Sequence, residues 1–377
     1  MDLRSESILQ EDFHYYATYC AAFLAGYDHR ESLQIAYSAQ FVDLCTRTLL
    51  AKIKGPLSAA TTQMQLELMD ARTDPVGLQD ITRIWSAFHV LPRDLYAEKQ
   101  KCSKGYLDKY RLICGPNGDL VVKTVELAKG KPLESVGIAM HVLADTWAHA
   151  NFAGTPSLVI NNTNHYFYEL LPEGDGYREK QITFVHKRSA PDDLANSVYT
   201  NSIYQSNENS IMNLGHGRAG HLPDYSFVRY KYLPMWGEYE ELIKDNPGDY
   251  LKAFTQMIYA MKFIRGDIIA FEKDTYDMKA VEAHLDRIKE ILEKRQLLAS
   301  DDWRSFGEDL SGQKLEDHVT DKYFAEYTGS SDKDDTFIGR FTKGAIAHKG
   351  MVIEAIQGSN NKLAGIVKPT ISKKKRV

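Results

Sequence analysis

The sequence predicts an all-α fold: a mainly helical bundle interrupted by a loop-rich insertion and followed by a C-terminal extension. Three observations predict it. Apolar residues recur at spacings of three and four through most of residues 6–154. Over 157–235 that period is lost, and Asn, Gly, Pro and Tyr become frequent. Helical periodicity then returns over 237–298, ahead of a polar, weakly patterned end. The 377 residues exceed the usual size of a single core. The expected organisation is a helical domain at 1–235, a helical extension at 236–300 and a polar region at 301–377.

The elements follow in order. Residues 6–26 place Ile8, Phe13, Tyr16, Ala17, Cys20, Phe23 and Leu24 on one face. Residues 31–53 repeat the pattern with Leu33, Ile35, Ala36, Ala39, Phe41, Val42, Cys45, Leu49 and Leu50, and stop at Gly55-Pro56. A less regular stretch, 57–83, leads to IWSAFHVLP, where Pro92 closes the apolar run. A helix opens near Pro132, continues through SVGIAMHVLADTWAHANFAG, and ends at Gly154 and Pro156. In the insertion, SLVI and ITFV read as strand or extended loop. Glu282, Asp286, Lys289, Glu290, Glu293 and Lys294 give the next helical stretch a solvated charged face. The terminal Ser-Lys-Lys-Lys-Arg-Val reads as a disordered basic tail.

Composition narrows the function classes. An apolar fraction of 43% with 26% charged residues is ample for a buried core. The formal charge of −5 argues against a general nucleic-acid binder. It leaves room for an enzyme whose bound cations supply the positive charge. No apolar run reaches the length of a membrane span. The start, MDLRSESILQEDFHYY, lacks a charged segment followed by an apolar one, so the expectation is a cytoplasmic chain, with signal-independent export left open. Cys20, Cys45, Cys102 and Cys114 show no CxxC spacing, and the first two read as buried thiols.

The chemistry concentrates in HVLADTWAHANF. His141, Asp145 and His149 lie at i, i+4 and i+8, a helical stripe that drifts ~40° and rises ~6 Å per step. Adjacent members can grip one divalent ion, or Asp145 can bridge two, and both donor types suit zinc. Val142, Leu143, Trp147 and Ala148 leave little of this helix outside a core. A buried stripe of His and Asp is costly unless paired or liganded. His14 lies between Phe13 and Tyr15, Asp43 inside AQFVDLC, and His89 inside SAFHVLP. Singly, each reads as a hydrogen-bonded core residue; together, a shared ion accounts for them better. GHGRAGHLPDY adds His216, His221 and Asp224. Its Gly215-His-Gly-Arg-Ala-Gly220 string formally matches a dinucleotide fingerprint, but no strand precedes it and Leu222-Pro223 stands where a helix should open.

The order of these motifs resembles the zinc-dependent phospholipase C superfamily, which also contains zinc-dependent single-strand nucleases. AHANF is similar to the Het-C-like branch, and EDFHYY, AFHVLP, HVLADTWAH and GHGRAGHLPD also resemble a related uncharacterised bacterial family. The matching stretches run from 11 to 226. The resemblance implies an all-helical fold with a multinuclear zinc site of two or three ions. Its ligand order corresponds to His14, Asp43, His89, His141 with Asp145, His149, and His216 or His221 with Asp224. It would make Asp145 the carboxylate bridging two zincs and Asp43 a ligand near the nucleophilic water. Two features depart from the pattern: no Trp near the start can serve as an amino-terminal ligand, and the gap from Asp145 to His149 is shorter.

The expected activity is hydrolysis of phosphate esters, with Asp43 and Asp145 as the catalytic carboxylates. The expected substrate is a phospholipid, reached by transient contact with a membrane surface. A single-strand nuclease is the alternative, and a metal-stapled helical toxin or partner-binding module is the non-enzymatic one. Tyr166, Phe167, Tyr168, Tyr225, Phe227, Tyr230 and Tyr232 are the aromatic candidates for dipping into lipid or stacking on bases; core and loop packing accounts for them at least as well.

Overall fold

A computed structural model describes residues 11–71, 75–98, 107–185, 192–201 and 215–366. The chain enters as a π-helical stretch, Asp12–Ala17, that runs into helix α1, Thr18–Leu24. Helix α2, His29–Phe41, opens on a capping box in which Asp28 accepts from the Glu31 amide and Glu31 accepts from the Asp28 amide. Helix α3, Pro75–Ile84, passes into a second π-helical stretch, Trp85–His89. These two π-helical stretches carry His14 and His89. Such wide turns re-aim side chains and are frequent at functional sites.

Helix α4, Asp119–Ala128, leads to the central helix α5, Leu133–Ala148. Every residue of α5 from Val136 to Ala148 is buried, so this helix is enclosed on all sides. Gly137 makes the enclosure tight: a Cβ there would stand 2.4 Å from the Ile35 carbonyl oxygen and 2.8 Å from the Ala39 nitrogen of α2. That close approach is what brings the α2 backbone to the His141 ring.

The insertion departs from the expected architecture. It holds a four-stranded antiparallel sheet in the order β2-β1-β5-β6, formed by β1 (Thr163–Glu173), β2 (Gly176–Gln181), β5 (Arg229–Pro234) and β6 (Leu242–Asp245). Strands β3 (Thr183–Val185) and β4 (Val198–Thr200) form a parallel pair. The all-α expectation is therefore corrected to a mixed α and β fold. The reason is local. The aromatic runs at 166–168 and 225–232 suit a pleated surface better than a helix, and Phe167 of β1 stacks on Tyr232 of β5 at 5.3 Å with planes 7° apart. SLVI, by contrast, lies at a helical turn, Leu158–Asn161, while ITFV supplies β3.

Helix α6 is one turn, His216–Ala219. Beyond β6 come α7 (Asn246–Arg265), α8 (Leu285–Glu293), α9 (Ser300–Ser311) and α10 (Phe337–Gly358). Residues after 300 are more patterned than their composition suggests: Trp303, Phe306, Phe341 and Val352 join the same apolar core as Phe13 and Leu143. A smaller core under the sheet gathers Phe152, Phe167, Tyr199, Leu222, Tyr225, Tyr230 and Tyr232. No helix of the described residues is long and apolar enough to cross a membrane. The basic tail and Cys102 lie outside the described residues. Cys20, Cys45 and Cys114 are buried free thiols.

Candidate metal centre

The stripe on α5 lands where its spacing requires. His141 and Asp145 face one interior point from successive turns, and His149 follows at the C-cap of the helix. Asp145 is 2% exposed and is ringed by imidazoles. His14 Nε2 lies 3.1 Å from its Oδ1. His89 Nδ1 and His141 Nε2 each lie 3.2 Å from its Oδ2, and His149 Nδ1 lies 3.5 Å away. Asp43 closes the group, its Oδ1 3.9 Å from His89 Nδ1 and 3.8 Å from His141 Nε2. The rings of His14 and His141 stack at 3.9 Å.

One nitrogen on each of three of these rings faces a backbone carbonyl. His141 Nδ1 is 2.9 Å from the Ala39 oxygen, His89 Nε2 is 2.9 Å from the Thr61 oxygen, and His149 Nδ1 is 2.7 Å from the His89 oxygen. A carbonyl only accepts, so the nitrogen facing it carries the hydrogen. In the neutral ring the other nitrogen is then a lone pair, turned toward Asp145 in His141 and His89 and toward Asp224 in His149, which is how a protein orients a metal-binding imidazole. His141 Nε2 and His89 Nδ1 stand 3.4 Å apart, both aimed at Asp145 Oδ2. Three acceptors thus converge on one point.

A second half of the centre is built by α6 and the loop after it. His216 Nε2 lies 3.2 Å and His149 Nε2 3.5 Å from Asp224 Oδ1. Gly215 and Gly220, at φ of 52° and 59°, let the backbone turn sharply on either side of the short helix. Donor atoms fall within 4.8 Å of one another in three groups: His14 with Asp43 and His141, His89 with His141 and Asp145, and His149 with His216 and Asp224. The donors are imidazole nitrogens and carboxylate oxygens, the set that suits zinc. His14 Nδ1, Asp43 Oδ2 and His149 Nε2 are buried without a hydrogen-bond partner among the described residues. Donor chemistry and orphaned atoms both fit a bound divalent cation. Side-chain exposure of 15% at His89, 13% at Asp43 and 32% at His216 marks the solvent edge of the centre.

The electrostatics show how strained the cluster is with protons alone. Burial works to raise the Asp145 carboxyl, yet the His149, His141 and His14 imidazoles hold it well below the usual range. Burial likewise opposes charge on His149, and the Asp145 and Asp224 carboxylates override it and lift the ring to about 9. His141 is pushed down by burial and by neighbouring His14. His14 and His149 are driven toward charge, while His141, stacked on His14, is driven away from it.

His221 goes elsewhere. Its Nδ1 sits 3.0 Å from Asp192 Oδ2, and Asp192 also accepts from the Thr200 amide at 2.6 Å and the Tyr225 hydroxyl at 2.7 Å. Of the expected site residues, the structure gathers His14, Asp43, His89, His141, Asp145, His149, His216 and Asp224, and separates His221. Sequence reasoning missed Asp192, and also Asp12, which lines a small cavity with His14, Asp145, Asp224 and Tyr250 between the two halves. Burial raises the Asp12 carboxyl to about 7. Asp12 stands two residues before His14, but an acid near a helix start is too ordinary a signal to single out. The aromatic candidates of the insertion are mostly structural: Phe167, Tyr225, Phe227, Tyr230 and Tyr232 are buried in the smaller core.

The family model of DUF6765, a family of unknown function, matches residues 9–356 of the chain. No curated protein matches, and no solved structure does.

Proposed function

We propose that this chain, which belongs to the DUF6765 family, is a zinc-dependent hydrolase of phosphate esters. One observation carries the reading: the inward nitrogens of His89 and His141 and the Asp145 carboxylate face one another as acceptors around a shared point. Protonating the rings would supply donors, but it would also place positive charges beside each other in a stacked, buried pair, His14 and His141. A divalent cation satisfies the three acceptors at once and offsets their desolvation.

In this reading His14, Asp43, His89, His141 and Asp145 hold one side of the centre, and His149, His216 and Asp224 hold the other. These residues would hold two or three zinc ions. Bound zinc lowers the pKa of a coordinated water toward ~7 and neutralises phosphate oxygens. The protein supplies the rest. Ala39, Thr61 and His89 carbonyls keep the imidazoles aimed inward, and Asp43, with a buried oxygen lacking a partner among the described residues, would orient the attacking water, take its proton and return that proton to the leaving oxygen as the P–O bond breaks. The solvent edge at His89, Asp43 and His216 is the path for substrate.

Phospholipid is the preferred ester, on the resemblance of AHANF and its neighbouring motifs to the phospholipase and Het-C-like side. Metal content of purified protein, measured by mass spectrometry, is expected at two or more zinc per chain. Phospholipid and single-stranded nucleic acid assayed side by side decide the substrate class. Phosphodiesterase activity that persists in both His141→Ala and Asp145→Ala rejects the proposal.

A further inference from the structure

Arg218 does not fit the way the rest of this protein treats buried charge. Among the described residues, the other buried carboxylates and lysines are paired. Glu134 pairs with Arg340, Glu169 with Arg295, Asp192 with His221, Lys231 with Glu179, and Lys244 with Asp249; Asp145 has its ring of imidazoles. Arg218 is 9% exposed, and among the described residues it forms no ion pair. Its Nε and Nη1 are sealed from solvent with no hydrogen-bond acceptor. Burial pushes its pKa down, and no carboxylate counters that.

The side chain is held by a fixed backbone rather than dangling from a loop. The Arg218 carbonyl accepts from the Asn201 side-chain amide at 3.1 Å. The Gly215 amide donates to the Asn161 oxygen at 2.7 Å, before the one-turn helix. At its other end Gly220 packs so closely that a Cβ would stand 2.1 Å from the Thr200 oxygen. His216, two residues earlier on α6, faces Asp224. Successive helical residues turn by ~100°, so Arg218 points to the far side of that turn.

A guanidinium with two of its nitrogens sealed and unpartnered carries a desolvation penalty. Its planar fork matches the oxygens of phosphate, two at a time. We propose that Arg218 is the receptor of an oxyanion site of the phosphate class, behind α6 and distinct from the metal centre. The proposal stands whether or not the metal centre hydrolyses esters, because it rests on a different set of atoms.

The test compares zinc-loaded wild-type protein with Arg218→Met, titrated with inorganic phosphate by calorimetry, with chloride at matched ionic strength as the control. Any phosphate on the metal centre is common to both proteins. The expected result is a phosphate-binding component about 10- to 100-fold weaker in Arg218→Met, the loss of one or two hydrogen bonds to a charged group. That component is retained in His89→Ala, which alters the metal centre alone. Without phosphate, Arg218→Met is expected to melt at the wild-type temperature or above it, since an unmatched buried charge has been removed. Equal phosphate affinity in wild type and Arg218→Met overturns the proposal. So does an Arg218→Met protein that melts lower without phosphate at unchanged zinc content, because the guanidinium then has a partner within the protein.

Discussion

Two buried aspartates in this molecule both meet imidazoles and have opposite needs. Asp192, in the sheet region, accepts from a backbone amide, a tyrosine hydroxyl and one imidazole, each at 2.6–3.0 Å. Its lone pairs are used, and burial is outweighed by these donors, with His221 foremost, so the carboxyl stays low. Asp145, in the helical region, meets four imidazoles, and backbone carbonyls already take the hydrogen from the outward nitrogens of two of them, His89 and His141. From His89 and His141 it therefore faces lone pairs rather than donors. A His–Asp contact is thus no sign of a metal by itself. What separates the two cases is that Asp192 also meets an amide and a hydroxyl, which donate, whereas Asp145 meets lone pairs from His89 and His141.

The largest effect is expected where that asymmetry is greatest. Asp145→Ala removes the carboxylate common to both halves, and zinc affinity is expected to fall by more than the roughly 10- to 100-fold that follows loss of an outer hydrogen-bond partner. Asp192→Ala, changed in the same way, is expected to leave zinc content unaltered. Zinc measured after equilibrium dialysis checks both. If the two variants lose zinc equally, the distinction between the aspartates is wrong.

His216→Ala sharpens the comparison within the centre. His216 touches the Asp224 half only, so the variant is expected to lose one zinc equivalent and keep those held around Asp145. Loss of all zinc on this change would mean that the halves fill as one unit.

The contrast also marks what the sequence made legible. The i, i+4, i+8 stripe on α5 is a helical period that needs nothing but local geometry, and His14, Asp43 and His89 showed themselves as polar residues in apolar runs. The fate of His221 was not legible. GHGRAGHLPDY carries two imidazoles five residues apart, and only the position of Asp192, twenty-nine residues before His221, decides which one turns toward the centre. The sheet was missed for a related reason. β1 and β5 lie more than fifty residues apart, and their pairing, Phe167 opposite Tyr232, is a non-local choice with no helical or strictly alternating pattern in either segment. The carbonyls of Ala39, Thr61 and His89, which fix the imidazoles, carry no side-chain signal at all.

For Asp192 the expected loss is in stability. Asp192→Asn keeps the shape but weakens its contacts with His221 and Tyr225, at a cost of about 1–3 kcal/mol. Tyr225→Phe removes one neutral donor to the same carboxylate and is expected to cost less, about 1 kcal/mol. Chemical denaturation of zinc-loaded protein measures both, and no change in Asp192→Asn would show that the network is not a structural element.

The smallest effect isolates what burial does to an imidazole with no carboxylate beside it. His348, on α10, is 3% exposed, and its Nε2 meets the Thr124 hydroxyl at 2.9 Å. Burial drives it down to about 3, with His141 adding in the same direction, whereas carboxylates lift buried His149 to about 9. A folded-state pKa below the unfolded value of ~6.5 means that the unfolded chain takes up the proton first. The stability from keeping His348 neutral is present above ~6.5 and drains as pH falls toward 3, by at most ~1.4 kcal/mol per pH unit. His348→Gln keeps a partner for Thr124 and removes the titration. Between pH 6.5 and 5 the wild type is expected to lose roughly 1–2 kcal/mol more than His348→Gln. Protons competing for the zinc ligands act on both proteins, so the difference reports His348 alone. Parallel pH curves would show that His348 titrates alike in the folded and unfolded chain, and that burial on this side of α5 does not set the charge of an imidazole.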